Sequence, residues 1–194
     1  FLFPDAKYIH LIRDPRDVAR SSISMGWSGN VYYGVDHWVA TEHDWMLLGE
    51  EIQSDQSLQI KFEDLIVSPE QVLSGICEFL GLKFSEKMMD YIQNSTYSKP
   101  DISLVNQWKR KLSAKETQNV EFKAGVLMQK LGYELSGEPL ISIGMVEANR
   151  LKIGNKVFRV AHALRRYGVA LYFKLLISFL YTRQTKKKIK MSII

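Results

Sequence analysis

Along the chain, apolar positions alternate between two rhythms, and breaker residues mark each change. Residues 7–12, Lys-Tyr-Ile-His-Leu-Ile, form an aromatic and β-branched run that stops at Arg13-Asp14-Pro15. Such a run predicts a short buried strand entering a turn. Asp14 is placed to cap the next helix and Pro15 to preset its first turn, so a helix is expected to about Met25. Residues 26–35 carry three glycines and an asparagine and predict a loop. Trp38, Trp45, Leu48 and Ile52 then recur at helical spacings, predicting a helix from Asp36 to about Ile52. Leu58 to Phe62 predicts a second strand. Ser68-Pro69-Glu70 opens a helix whose apolar face is Val72, Leu73, Ile76, Phe79 and Leu80, with Gly81 as its stop.

Lys83 to Ile92 predicts another short helix, and residues 93–107 a polar loop. Ser113-Ala114-Lys115-Glu116 matches a capping box for a helix that ends near Leu131, before Gly132. The order strand, helix, strand, helices implies an α/β layer with parallel strands. After about residue 137 the texture changes. Residues 147–182 are basic and apolar without proline, so the expected division is residues 1–136 as one domain and 137–194 as a helical extension and tail. The apolar run from Val169 to Tyr181, broken by Lys174, is only about a dozen residues, short of the ~20 needed to span a bilayer. Two readings stay open for it: a helix packed on the domain, or peripheral membrane contact through residues 169–190 with basic groups on anionic headgroups.

Charge and cysteine content narrow the classes. The net charge of +5 suits an anionic ligand or surface. Much of the excess lies in Arg183, Lys186, Lys187, Lys188 and Lys190, which read as a solvated tail, so no nucleic-acid partner is expected. The single cysteine, Cys77, excludes an internal disulfide, and no Cys/His cluster has metal spacing, so no metal is expected. No secretory signal pattern is visible, and the opening Phe1-Leu2-Phe3-Pro4 reads like the middle of a longer chain.

The stretch Arg13-Asp14-Pro15-Arg16-Asp17-Val18-Ala19-Arg20-Ser21 carries the candidate chemistry. A guanidinium fork at a strand end and a hydroxyl two turns into the next helix suit a phosphate monoester. An Arg-Asp-Pro turn with a purely structural Arg–Asp pair is the competing reading. The stretch from Phe3 to Ser21 closely resembles the 3′-phosphate-binding element of sulfotransferases that use the donor PAPS (3′-phosphoadenosine 5′-phosphosulfate). The resemblance continues through Ile60-Lys61-Phe62-Glu63-Asp64-Leu65, Pro69 to Leu82, Gln107 to Ser113 and Leu131-Gly132-Tyr133-Glu134, covering about residues 1–135.

It implies a P-loop-type parallel sheet flanked by helices, present in part, with the helical extension appended. It implies sulfuryl transfer from PAPS to a hydroxyl or amine, with no metal. Arg13 and Ser21 would hold the 3′-phosphate, with Lys99 and Lys109 as further phosphate contacts. Trp27, Tyr33 and His37 would line the acceptor pocket, though aromatic residues there equally suit a core. Nothing here resembles the family's 5′-phosphosulfate loop, so that loop and the general base are expected before Phe1, and the chain alone is expected to be inactive. His10, inside the strand, is expected to be a core histidine. The acceptor is left open among small molecules, carbohydrates, lipids and proteins. A cytoplasmic location is expected, with a Golgi or membrane-associated one as the alternative. Two other readings compete: a P-loop-type kinase, and a non-catalytic membrane-surface or interaction module built on the fold.

Overall fold

The computed structural model of the protein describes residues 4–94 and 101–191. Two strands, β1 (Tyr8–Ile12) and β2 (Ser57–Lys61), pair in parallel with Tyr8 opposite Ser57 and Ile12 opposite Lys61. Parallel neighbours need a crossover, and here α1 (Pro15–Ser24), α2 (Val31–Gly34) and α3 (Asp36–Gly49) supply it. Beyond β2 come α4 (Phe62–Val67), α5 (Pro69–Leu80), α6 (Trp108–Lys111), α7 (Ala114–Lys130) and α8 (Met145–Met191). Period-two alternation sets the faces of β1: His10 and Ile12 are buried, whereas Ile9 and Leu11 are exposed. The main core joins Ile12 to Ala19, Val31, Val35 and Trp38 of the crossover. Val120, Ala124 and Met128 of α7 close it from the other side. The fold is thus a partial α/β domain, as the order of periodic segments implies.

Local chemistry explains most boundaries. Asp14 caps α1 by accepting a hydrogen bond from Arg16 N at 2.9 Å, and Pro15 occupies the first turn. Ser113 and Glu116 form the reciprocal capping box of α7. Gly81, at φ 72°, closes α5 in the left-handed region that glycine enters without strain. Four expectations need correction. Part of the loop expected over residues 26–35 folds as α2, because the Asn30 side chain caps Tyr33 N. Phe62 opens α4 instead of ending β2, and α3 stops at Gly49 short of Ile52. The helix expected over Lys83–Ile92 is a 3-10 segment, Glu86–Asn94.

The extension is helical from Met145 and breaks at Gly168, whose φ of 73° and ψ of 164° lie outside the helix. Its first half docks on the glycine-rich loop between α1 and α2. Gly29 N donates to Asn155 Oδ1 at 2.6 Å, and Asn30 Nδ2 to Leu151 O at 2.8 Å. His162 lies so close over Gly26 that any side chain there would strike its ring, and Gly26 also has a φ of +77°. Among the described residues no helix is long and apolar enough to cross a membrane.

Candidate functional site

The turn after β1 carries two arginines three residues apart, and the fold uses them differently. Arg16 is 3% exposed. Its Nε and Nη2 donate to the two oxygens of Asp14 at 2.9 and 2.7 Å, and its Nη1 donates to Glu121 Oε1 at 2.8 Å. Glu121 also accepts from Ser136 N and Oγ. The Arg16 guanidinium lies 3.7 Å from the Trp108 ring centroid. Buried charge requires such pairing, and here a fork, two carboxylates and an aromatic face provide it. The structural Arg–Asp pair of the turn is therefore Arg16–Asp14.

Arg13, by contrast, keeps spare capacity. Its Nη2 donates to Leu104 O at 2.9 Å and stands 3.9 Å from Asp17 Oδ2, while its guanidinium stacks on Phe62 at 4.4 Å. Its Nε is buried without a partner among the described residues. Its main-chain oxygen accepts from Trp38 Nε1 at 2.9 Å, which fixes the strand end against α3. Asp17 and Ser21 are four residues apart on α1 and so share one helix face. Ser21 is partly buried, and its hydroxyl has no hydrogen-bond partner among the described residues. Ser22, next to it, is committed to Val18 O and Gly34 O. An arginine with an unpartnered donor thus approaches Asp17, one helical turn before an uncommitted hydroxyl, an arrangement suited to a tetrahedral oxyanion.

The other expected site residues are spread more widely. Lys109 is exposed, with Nζ 5.6 Å from the Trp108 ring centroid, and lines a cleft of about 270 Å³ that also borders Arg16, Trp108 and Tyr133. Lys99 lies outside the described residues. Trp27 is 63% exposed and lines a cleft of about 460 Å³ between its loop and α8. Tyr33 packs edge-on to Tyr32 beneath Lys123, and His37 is exposed at the start of α3. These three line no common cleft among those described. His10 is buried, stacked on Trp45 at 4.2 Å, and its Nε2 approaches Glu42 Oε2 to 2.8 Å without hydrogen-bond alignment. Among the described residues no cluster of potential metal ligands occurs.

Three residues lie within the motif stretches, but their supporting roles escape a reading by motif. Glu63 accepts from Asp14 N at 2.9 Å and from Tyr133 OH at 3.0 Å, tying the turn to α4 and to the segment after α7. Burial and the Glu63 carboxylate together push the Tyr133 phenol up, so it stays a donor. Asp17 accepts from Trp108 N at 2.7 Å and so binds α1 to α6. Burial raises its carboxyl to about 6, against the opposing pull of the Trp108 amide. These partners are 49 to 91 residues apart in sequence, and no spacing signals them.

Comparison with known proteins bears on what this turn belongs to. Residues 1–86 match the profile described as the sulfotransferase family. A 3-beta-hydroxysteroid sulfotransferase of Cavia porcellus is 29% identical over 47% of this chain and 37% of its own length. Protein-tyrosine sulfotransferase A of Caenorhabditis elegans is 31% identical over 54% of this chain and 28% of its own. The solved sulfotransferase domain from the Synechococcus PCC 7002 olefin synthase superposes with a TM-score of 0.55 at 26% identity, covering 67% of this chain and 50% of that one. The sulfotransferase domain from the curacin biosynthetic pathway, at 24% identity and a TM-score of 0.56, shares the fold. The chain spans about a third of the length of these curated relatives and about half of the solved domains. Residues 1–86 thus match the sulfotransferase family in sequence, and the chain shares the fold of solved sulfotransferase domains.

Proposed function

We propose that the protein serves sulfuryl transfer from PAPS, and that the β1–α1 turn binds the 3′-phosphate of that nucleotide. The observation that carries the reading is the division of labour between the two arginines. Arg16 has its charge neutralised inside the fold, whereas Arg13 keeps a buried, unpartnered Nε. A phosphate monoester would supply the acceptor oxygens that Arg13 lacks and take the Ser21 hydroxyl as a third donor. Residues 102–104 hold Arg13 from the other side through Leu104 O, and Phe62 fixes the plane of the fork. Asp17 keeps the guanidinium from turning away, and its raised carboxyl lessens repulsion of an anion at mildly acid pH. Lys109 and Lys99 would add phosphate neutralisation from the segment after α5.

In the transfer itself, the bond between sulfur and the oxygen of the nucleotide 5′-phosphate breaks as an acceptor oxygen or nitrogen bonds to sulfur in line. The acceptor proton goes to a base, and cations stabilise the leaving phosphate. The share taken by this turn is positioning: gripping the far end of the nucleotide sets the direction of the reacting end. The relatives' names, one a hydroxysteroid enzyme and one acting on protein tyrosine, make a hydroxyl the favoured acceptor. Trp27, Tyr33 and His37 stay proposed for the acceptor side.

Calorimetric titration with 3′-phosphoadenosine 5′-phosphate against ADP tests the reading. Binding selective for the 3′-phosphorylated nucleotide, and lost in Arg13→Ala, is expected. Equal affinity for both nucleotides by folded protein would refute the 3′-phosphate assignment. Preference for ATP with Mg²⁺ would favour a kinase.

A further inference from the structure

We infer that the first half of α8 is a surface that docks on anionic lipid bilayers, with its apolar side turned away from the domain. At roughly 100° per residue, Val146, Ile153, Val157, Val160, Leu164 and Tyr167 fall within an arc of about 80°. Asn155, Phe158 and His162, which meet the loop at Gly26 and Gly29, lie on the opposite side. A helix docked on a core ordinarily turns its apolar stripe inward. Here the stripe faces out: Val146 is 85% exposed, Ile153 63% and Val157 62%. Gly168 ends this straight segment, so the stripe is a bounded face about six turns long.

The flanks name the partner. Lys152, Lys156, Arg159 and Arg166 run along one side of the stripe and Arg150 and Arg165 along the other, all of them exposed. From Met145 to Met191 the sequence holds twelve Lys or Arg and one acidic residue, Glu147. That one is paired with Lys115 at 3.1 Å and with Arg150 at 3.4 Å. A second copy would therefore bring like charges face to face, which opposes self-association. A surface of anionic headgroups over hydrocarbon matches both features, taking the apolar stripe at the acyl boundary and the long basic side chains among the phosphates. Trp27 and Met25, exposed beside the same helix, extend the face with an aromatic residue suited to the interface. The inference is independent of the nucleotide site, which lies on the β1–α1 turn.

Flotation of the whole chain with vesicles tests it. One set is neutral phosphatidylcholine; the other contains about 30% phosphatidylserine, where each basic residue at the surface is worth roughly fivefold in partition. Binding to the anionic set alone, weakened by 0.5 M salt, is expected. Arg159→Glu with Arg166→Glu should weaken it by more than about tenfold. Ile153→Ser with Val157→Ser should weaken it at least as much, with melting unchanged because both side chains are exposed. Binding untouched by the serine pair would overturn the proposal, since the basic residues near the C-terminus would then carry it alone. No binding to anionic vesicles would also overturn it. So would a dimer in solution that the serine pair converts to monomer.

Discussion

The β1–α1 turn and the first half of α8 are both rich in arginine, and they spend that charge in opposite ways. In the turn, Arg16 is sealed between Asp14, Glu121 and Trp108, and Glu121 is itself held by Ser136. On the first half of α8 the basic side chains stand in water beside an apolar stripe, and the residues that meet the loop are an asparagine, a phenylalanine and a histidine. The first arrangement holds a guanidinium in one geometry by several directed contacts. The second fixes only the helix and leaves its outer charges adaptable, as a surface contact requires. Arg13 stands between the two: anchored at Nη2 and on Phe62, yet open at Nε.

Substitutions should separate these uses of charge. Arg16→Ala leaves the Asp14 and Glu121 carboxylates buried without their cation, and should cost about 3–5 kcal/mol in urea denaturation. Arg16→Lys should recover little, because an ammonium cannot reproduce the fork. Arg13→Ala should do the reverse. Stability should change by less than about 1 kcal/mol, while affinity for 3′-phosphoadenosine 5′-phosphate falls by roughly ten- to a hundredfold, the worth of one or two charge-assisted bonds. An Arg13→Ala chain that melts early but binds normally would break the comparison.

Gly26→Ala should cost about 1–2 kcal/mol, because φ +77° and the His162 ring both oppose a side chain. Its signature would be faster proteolysis between α7 and α8 with the nucleotide site unaffected. Asp17 gives a smaller effect of defined sign. Its folded carboxyl, raised by burial to about 6 from an ordinary value of 3.8, holds its proton more tightly than the unfolded chain does. Its contribution to stability is therefore fullest below pH 3.8 and is lost as pH rises through about 6. Asp17→Asn should flatten stability over that window, which denaturation at several pH values would read. Ser21→Ala, smallest of all, should weaken nucleotide binding by about fivefold, the worth of one ordinary hydrogen bond of about 1 kcal/mol, and leave melting unchanged.

Much of the fold is legible in the sequence because local rules dictate it. The β-branched run of β1, the Asp14–Pro15 start of α1, the capping box of α7 and the Gly81 stop each depend on residues within a few positions. Two short helices are not legible. α2 rests on one Asn30 cap within a glycine-rich stretch, and α4 begins inside what reads as strand. In the candidate site, the position of Arg13 at a strand end follows from pattern. That Arg16 takes the structural role does not, because Glu121 lies 105 residues away on a helix where a buried acid has no periodic signal. The same holds for Glu63 and Tyr133, and for Glu42 beside His10. For α8 the sequence shows a basic and apolar helix. Which side meets the domain depends on Gly26 and Gly29, and on the tertiary contacts they permit.

Phosphorus NMR of 3′-phosphoadenosine 5′-phosphate tests the central claim most directly, since its two phosphates give separate resonances. With the wild-type chain the 3′ resonance should shift and broaden, and with Arg13→Ala it should stay at its free position. Movement of the 5′ resonance alone, or a 3′ shift that persists in Arg13→Ala, would contradict the assignment of the 3′-phosphate to this turn.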